Sequence, residues 1–230
     1  MATATIPAPI DNTVSVSGSD LPPTIDALNG LESTSASHSS EDSPTTPSNL
    51  IISSPYTTPD HLLDLSTLDT QSRLFAQALT HLTPIRPDYA IAPYTESFNW
   101  ATVFETLSSL SKAENHTWKQ QSFYVVVFRS VLNAGVDVDW LSQLDERSHA
   151  EAAESGGLLK YWFGVKNGRR ENLATCLWRH RDDARAGGTG PWHAKARAAA
   201  VELYEKITFT TLELVIPEDV GKWEIKAWKN

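Results

Sequence analysis

The stretch Ser122-Phe-Tyr-Val-Val-Val-Phe-Arg129 decides the fold, because its six central positions are all β-branched or aromatic. This composition favours a β-strand. Apolar residues occupy both alternating faces, which predicts a central strand covered on each side. Such a strand implies a sheet with a layer of packing on both faces.

The residues that follow this strand predict a helix, a hairpin, a second helix and a last strand. Asp137 or Asp139 is a suitable N-cap for the first helix, and Gly156-Gly157 ends it. Asn167-Gly168 predicts a tight hairpin turn, since this pair readily supplies positive φ angles. Pro191 suits the first position of the second helix. The predicted elements are the strand 158–163, the strand 172–178, the helix 191–207, the strand 210–216 and a short edge strand 223–228.

The resulting βαββαβ order predicts an α+β fold, a ferredoxin-like antiparallel sheet with helices on one face. We assign residues 121–230 to this domain. Residues 61–120 have apolar positions at helical spacing and predict a helical extension that packs on the domain. Either this extension or the sheet of a second copy, in a homodimer, is expected to cover the open sheet face.

Residues 1–60 are rich in Ser, Thr and Pro and contain seven acidic but no basic residues, which predicts a disordered acidic tail. Four Ser-Pro or Thr-Pro pairs make the tail a candidate substrate for proline-directed kinases, although low-complexity sequence gives the same pattern. The pairs are Ser43-Pro44, Thr46-Pro47, Ser54-Pro55 and Thr58-Pro59.

Composition excludes several classes of protein. The chain carries a net charge of −9, and residues 61–230 are near neutrality, so we predict no nucleic-acid binding. A single cysteine, Cys176, rules out an intramolecular disulfide. The sequence contains no apolar run long enough to span a membrane, and we expect neither a secretory nor a mitochondrial leader. We therefore expect a cytoplasmic or nuclear protein that is neither secreted nor bound to a membrane.

Several motifs resemble known families. The βαββαβ order and the segment Ala174–Ala184, followed by Trp192-His193, are similar to the dimeric α+β barrel superfamily, which includes antibiotic-biosynthesis monooxygenases and haem-degrading monooxygenases. More narrowly, Ser97-Phe-Asn-Trp100, the strand 123–130 and Asn172–Trp178 resemble the fungal UPF0643 family. The resemblance implies the barrel-like fold. By analogy, it also implies a monooxygenase-like reaction on an aromatic or polyketide-like substrate.

His193 is the first candidate catalytic residue, because the helical periodicity places it between the buried stripe and solvent. It is suited to act as a general acid or base, or as a haem ligand. Trp178 with Tyr161 or Trp162 would form an aromatic wall beside it. The alternative is a first-turn histidine that caps local polar groups, beside tryptophans that only fill the core.

His149 is the second candidate, since Asp145 lies four residues earlier and is placed to orient the imidazole. A solvated helix face would show the same pattern. Arg181 and Arg185, with Gly187-Gly-Thr-Gly190, form either an anion cradle at the helix N-terminus or a flexible connector. The chain has no HExxH or CxxC motif, so we predict no metal site.

Two functions are compatible with these features. The first is the binding or transformation of a small apolar or aromatic molecule in a cavity between the sheet and its helices. The alternative is a non-catalytic interaction or regulatory protein with a phosphorylatable tail. The sequence requires no cofactor, is compatible with haem, and does not decide whether the protein is an enzyme.

Overall fold

The computed structural model describes residues 49–229, which form seven strands, six α-helices and two 3-10 helices, Pro59–His61 and Leu65–Thr67. The strands are β1 (Leu50–Ile51), β2 (Leu63–Asp64), β3 (Gln121–Leu132), β4 (Leu158–Phe163), β5 (Glu171–Trp178), β6 (Tyr204–Ile216) and β7 (Glu224–Ala227). The helices are α1 (Thr70–Leu79), α2 (Tyr94–Ser97), α3 (Trp100–Ala113), α4 (Val138–Ser155), α5 (Arg181–Gly187) and α6 (Pro191–Leu203). Within the described residues, no helix combines the length and apolar character needed to cross a membrane.

The main sheet has the order β4-β5-β3-β6-β7, and each neighbouring pair is antiparallel. Strand β3 lies at its centre, as the apolar stretch at 122–129 predicts. The order β3-α4-β4-β5-α6-β6 gives the ferredoxin-like arrangement, with β7 added at one edge. The predicted fold class is therefore confirmed.

The two sheet faces are covered by different parts of the chain. On one face, β3 contributes Phe123, Val125 and Val127 to a core shared with α1 and α3. On the other face, Tyr124, Val126 and Phe128 pack towards α4 and α5, and α6 closes the rest of this side. The N-terminal helices thus occupy the sheet face that a second copy would have covered in a barrel-like dimer.

Three local expectations are corrected. The β4–β5 connection is a longer loop in which Arg170, with φ of 65°, adopts the left-handed conformation predicted for Asn167-Gly168. Strand β6 begins at Tyr204, so Ile207 lies in the strand and not in the preceding helix. An additional helix, α5, lies between β5 and α6, where the sequence predicted no helix or strand.

Residues 49–60 are also folded, although they fall within the predicted tail. Strand β1 pairs with β2, and the Ser53 carbonyl accepts a hydrogen bond from the Tyr161 amide. Tyr56 and His61 then reach α4, so this segment lies across the side of the domain that holds the candidate site. The rest of the predicted tail, residues 1–48, lies outside the described residues.

Candidate functional site

A cavity of about 60 Å³ lies between the sheet and helices α4, α5 and α6. Most of its wall is apolar, and polar side chains from α4, α6, β4 and β5 complete the lining, a mixture that is typical of small-molecule sites. The apolar lining is Val126, Phe128, Ala152, Leu158, Trp178, Ala184 and Gly188. The polar lining is Asp145, Ser148, His149, Tyr161, Cys176 and His193.

The polar groups reach the cavity through regular secondary structure. Asp145, Ser148, His149 and Ala152 have spacings of three, four and seven residues, so they share the face of α4 that points at the sheet. On β4, a bulge between Leu158 and Lys160 changes the alternation. It is this irregularity that brings Leu158 and Tyr161 to the same side.

Asp145 is the most enclosed charged group of the site, with 2% of its surface exposed. The Tyr161 hydroxyl donates to its Oδ1 at 2.6 Å, and the Tyr56 hydroxyl donates to its Oδ2. Burial raises the pKa of Asp145 to about 7, although both hydrogen bonds favour the ionised form and lower it. The carboxyl group therefore changes charge near neutral pH.

His149 and His61 form a buried pair with their Nδ1 atoms 2.7 Å apart. Burial and, to a lesser extent, the neighbouring His61 lower the pKa of His149 to about 3. His149 is therefore neutral at physiological pH. Its Nε2 and the Oγ of Ser148 are buried, and neither has a hydrogen-bond partner among the described residues.

His193 is held by Glu151. The His193 Nδ1 lies 2.8 Å from Oε2 of Glu151, and the same carboxylate accepts from the backbone N–H groups of Trp192 and His193 at 2.7 and 3.1 Å. Burial lowers the pKa of His193, and Glu151 opposes this effect. The single carboxylate of Glu151 therefore caps the N-terminus of α6 and also holds the imidazole of His193 in place.

The structure brings together four of the residues predicted from sequence: His193, His149, Trp178 and Tyr161 all line the cavity. His149 and His193 are each 5% exposed, so neither lies on a solvated face or at its edge. Their chemical roles stay predictions. Cys176 also lines the cavity, and burial raises the pKa of its thiol, which keeps it protonated.

The other predicted site residues lie elsewhere. Trp162 points to the opposite sheet face, where its ring contacts Tyr89 and Phe98. Arg181 is half-buried and Arg185 exposed, and neither lines the cavity. The anion at the N-terminus of α6 is the Glu151 carboxylate of this chain, so the proposed cradle is already filled.

The predicted pairing of Asp145 with His149 is also wrong. Asp145 is bound by Tyr56 and Tyr161, and His149 is bound by His61. Sequence reasoning missed Tyr56 and His61 because they lie before the domain. The spacing of Asp145, Ser148 and His149 on one helical face was the available signal for a polar cluster. Within residues 49–229, no group of three or more His, Cys, Asp or Glu side chains is placed to hold a metal ion.

A sequence model of the PB2B2.08-like family matches residues 52–227. This chain belongs to that family. The matched range includes Tyr56 and His61 as well as the ferredoxin-like domain. A relative within the family, the UPF0643 protein PB2B2.08 of Schizosaccharomyces pombe (strain 972 / ATCC 24843), is 36% identical over 197 residues, which cover 82% of this chain and 89% of the relative.

Three solved structures similar to this PB2B2.08-like chain each cover about two fifths of it. Rv0793 from Mycobacterium tuberculosis has a TM-score of 0.35 and 18% identity, covering 39% of this chain and 92% of that protein. SnoaB, a cofactor-independent oxygenase from Streptomyces nogalater, has a TM-score of 0.33 and 15% identity, covering 40% and 90%. A dimeric ferredoxin-like protein of unknown function from Thermobifida fusca has a TM-score of 0.32 and 17% identity, covering 41% and 92%.

Proposed function

We propose that the protein binds a compact, mostly apolar molecule in the cavity between the sheet and α4, α5 and α6. One polar group of this molecule would contact His149 and Ser148. His193 would then serve as the main acid–base group of any reaction at the site, because the low pKa of His149 keeps that imidazole neutral. The monooxygenase-like activity suggested by the sequence resemblance stays a prediction, because binding and proton transfer are what the described side chains support directly.

The observation that carries this proposal is the pair of unpartnered polar atoms in an apolar enclosure. Buried polar atoms in proteins nearly always have a hydrogen-bond partner, because an unpaired one costs about 1–3 kcal/mol. His149 Nε2 and Ser148 Oγ lack one among the described residues, and both residues line the cavity. A ligand with a polar group would satisfy them. The ligand must be small, because the cavity is smaller than a typical ligand pocket.

Ordered water is the competing explanation, since a cavity of this volume can hold a few water molecules. Native mass spectrometry of the protein expressed in Schizosaccharomyces pombe separates the two. We expect a small molecule that stays bound in the native spectrum and is released on denaturation. His149→Phe and Ser148→Ala should lose it, and Val201→Ala, which alters a side chain that is 78% exposed, should retain it. An absorbance scan of the same sample reveals any bound haem.

A separate pair of variants tests the role of His193. His193→Ala should weaken retention of the ligand or slow its conversion, because the imidazole lines the cavity. His81→Ala is the matched control, since His81 is exposed and does not line the cavity. A wild-type protein that carries no ligand, and whose melting temperature responds to no member of a small-fragment library, would contradict the proposal.

A second proposal is an interaction role through phosphorylation of the N-terminal segment. Among the described residues, Thr58 of Thr58-Pro59 is exposed whereas Ser54 of Ser54-Pro55 is buried. Incubation with a proline-directed kinase, followed by peptide mass spectrometry, should therefore label Thr58 and spare Ser54. Equal labelling of both, or of neither, would contradict this assignment.

A further inference from the structure

The contact between His61 and His149 restricts which nitrogen carries the proton in each ring. A neutral imidazole has one N–H donor and one acceptor nitrogen. Their two Nδ1 atoms lie 2.7 Å apart, so one must donate and the other must accept. Only two arrangements satisfy this contact. Either His61 donates to His149 and leaves His149 with an N–H at Nε2, or His149 donates and its Nε2 carries a lone pair.

Asp60 favours the second arrangement. Its Oδ2 lies 3.8 Å from Nε2 of His61, which is too long for a direct hydrogen bond but close enough for its charge to act. A carboxylate attracts an N–H and repels a lone pair, so Nε2 of His61 is favoured as the protonated nitrogen. The Nδ1 of His61 is then the acceptor, and Nδ1 of His149 is the donor.

The surroundings of His149 favour the same arrangement. Its Nε2 is buried and has no hydrogen-bond partner among the described residues. An orphaned buried N–H is rare in proteins, whereas an acceptor with an unused lone pair is better tolerated. A lone pair on Nε2 therefore leaves the folded protein with the smaller penalty. Two independent features, the Asp60 charge and the missing acceptor, thus agree.

We propose that Asp60 and His61 are positioning residues that hold His149 with an unprotonated Nε2, so that the cavity selects ligands presenting an O–H or N–H group. This inference rests on the proposed function and names the chemical class of its ligand. Such a ligand is a compact hydroxyl or N–H compound with an otherwise apolar body. A carbonyl compound or an ether of the same size lacks the donor that Nε2 requires.

The tautomer can be measured without any ligand. Long-range ¹H–¹⁵N correlation spectra of the full chain at pH 7 distinguish protonated from unprotonated ring nitrogens, and loss of the signals in His149→Gln assigns them. We expect an unprotonated Nε2 and a protonated Nδ1 for His149. Asp60→Asn should raise the share of the opposite tautomer. Asp219→Asn is the matched control, since the side chains of Asp60 and Asp219 are 61% and 60% exposed. A protonated Nε2 in the wild type would overturn the inference.

Pyrrole and furan test the ligand class, because the two rings are nearly the same size and only pyrrole has an N–H. One hydrogen bond predicts that pyrrole binds about threefold to tenfold more tightly in ligand-detected NMR. Binding must be lost in His149→Phe. Tighter binding of furan would overturn the inference and leave the proposed function intact. If neither ring binds, the proposed function and the ligand class both fail, while the ¹⁵N spectra still decide the roles of Asp60 and His61.

Discussion

Asp145 is the residue whose environment departs furthest from that of a surface carboxylate. Two tyrosine hydroxyls from different parts of the chain meet on it, one from β4 and one from the segment before the domain. Its two oxygens are therefore both occupied, and the side chain joins the N-terminal segment to the cavity wall. Replacement by Asn would leave one tyrosine hydroxyl facing an amide N–H₂ group.

The pKa of Asp145 predicts a pH-dependent contribution to stability. Because the folded value, about 7, lies above the ordinary value of 3.8, the folded chain binds more protons than the unfolded chain between these limits. The contribution is fully present below about pH 4 and is lost as the pH rises through 7. The stability advantage of the wild type over Asp145→Asn should be larger at pH 5 than at pH 7 by about 2 kcal/mol.

Urea unfolding of the two proteins at each pH measures this difference. Comparing the pair isolates Asp145 from the buried histidines, whose depressed pKa values act in the opposite direction and are common to both proteins. An advantage that stays constant from pH 5 to pH 7 would show that Asp145 does not titrate in this window.

At the scale of elements, α6 depends on a carboxylate from another helix. A helix N-terminus has backbone N–H groups without intrahelical partners, and Gly190, the N-cap residue, has no side chain to offer. Glu151 of α4 supplies both acceptor oxygens. The glycine is needed for this approach, because a Cβ atom at Gly190 would lie 2.2 Å from Oε2 of Glu151.

Gly190→Ala should therefore displace the Glu151 carboxylate and lower the free energy of unfolding by about 1–3 kcal/mol, the usual cost of unpaired buried donors. Gly188→Ala, two positions earlier, is the matched control. A Cβ there would meet its nearest atom at 3.5 Å, and the backbone φ of −84° suits alanine. It should be neutral or slightly stabilising. Equal thermal unfolding midpoints for the two variants would show that Glu151 does not depend on Gly190.

The elements also show how far sequence reasoning reaches. The strand at 122–129 follows from local composition and occurs as predicted, and the helix cap is Asp137, one of the two residues that the sequence offered. The hydrogen-bond partner of His149 cannot be predicted from local sequence, because His61 lies 88 residues away and only the tertiary fold brings the two rings together. Likewise, no local pattern distinguishes Tyr161, which faces the cavity, from Trp162, which faces the opposite core. The bulge in β4 determines which face of the sheet each of these two side chains occupies.

At the scale of the whole molecule, the N-terminal helices cover one face of the main sheet. Phe75 of α1 is fully buried, and its ring lies 4.5 Å from that of Phe123 on β3 and 6.3 Å from that of Phe104 on α3. These contacts close the sheet face away from the cavity. A ferredoxin-like sheet exposes this face unless something covers it, and here the same chain supplies the cover.

The closed face predicts that the protein is a monomer in native mass spectrometry and that Phe75 is important for its stability. Phe75→Ala should lower the free energy of unfolding by about 3–5 kcal/mol, because it leaves a cavity between α1, α3 and the sheet. Val201→Ala should change it by no more than about 0.5 kcal/mol, since Val201 is mostly exposed. A dimer through the sheet face requires α1 and α3 to leave it. A dimeric species in which the amides of these two helices exchange rapidly with solvent would therefore contradict the covered-face architecture, whereas slow exchange in a monomer would confirm that the chain closes its own sheet.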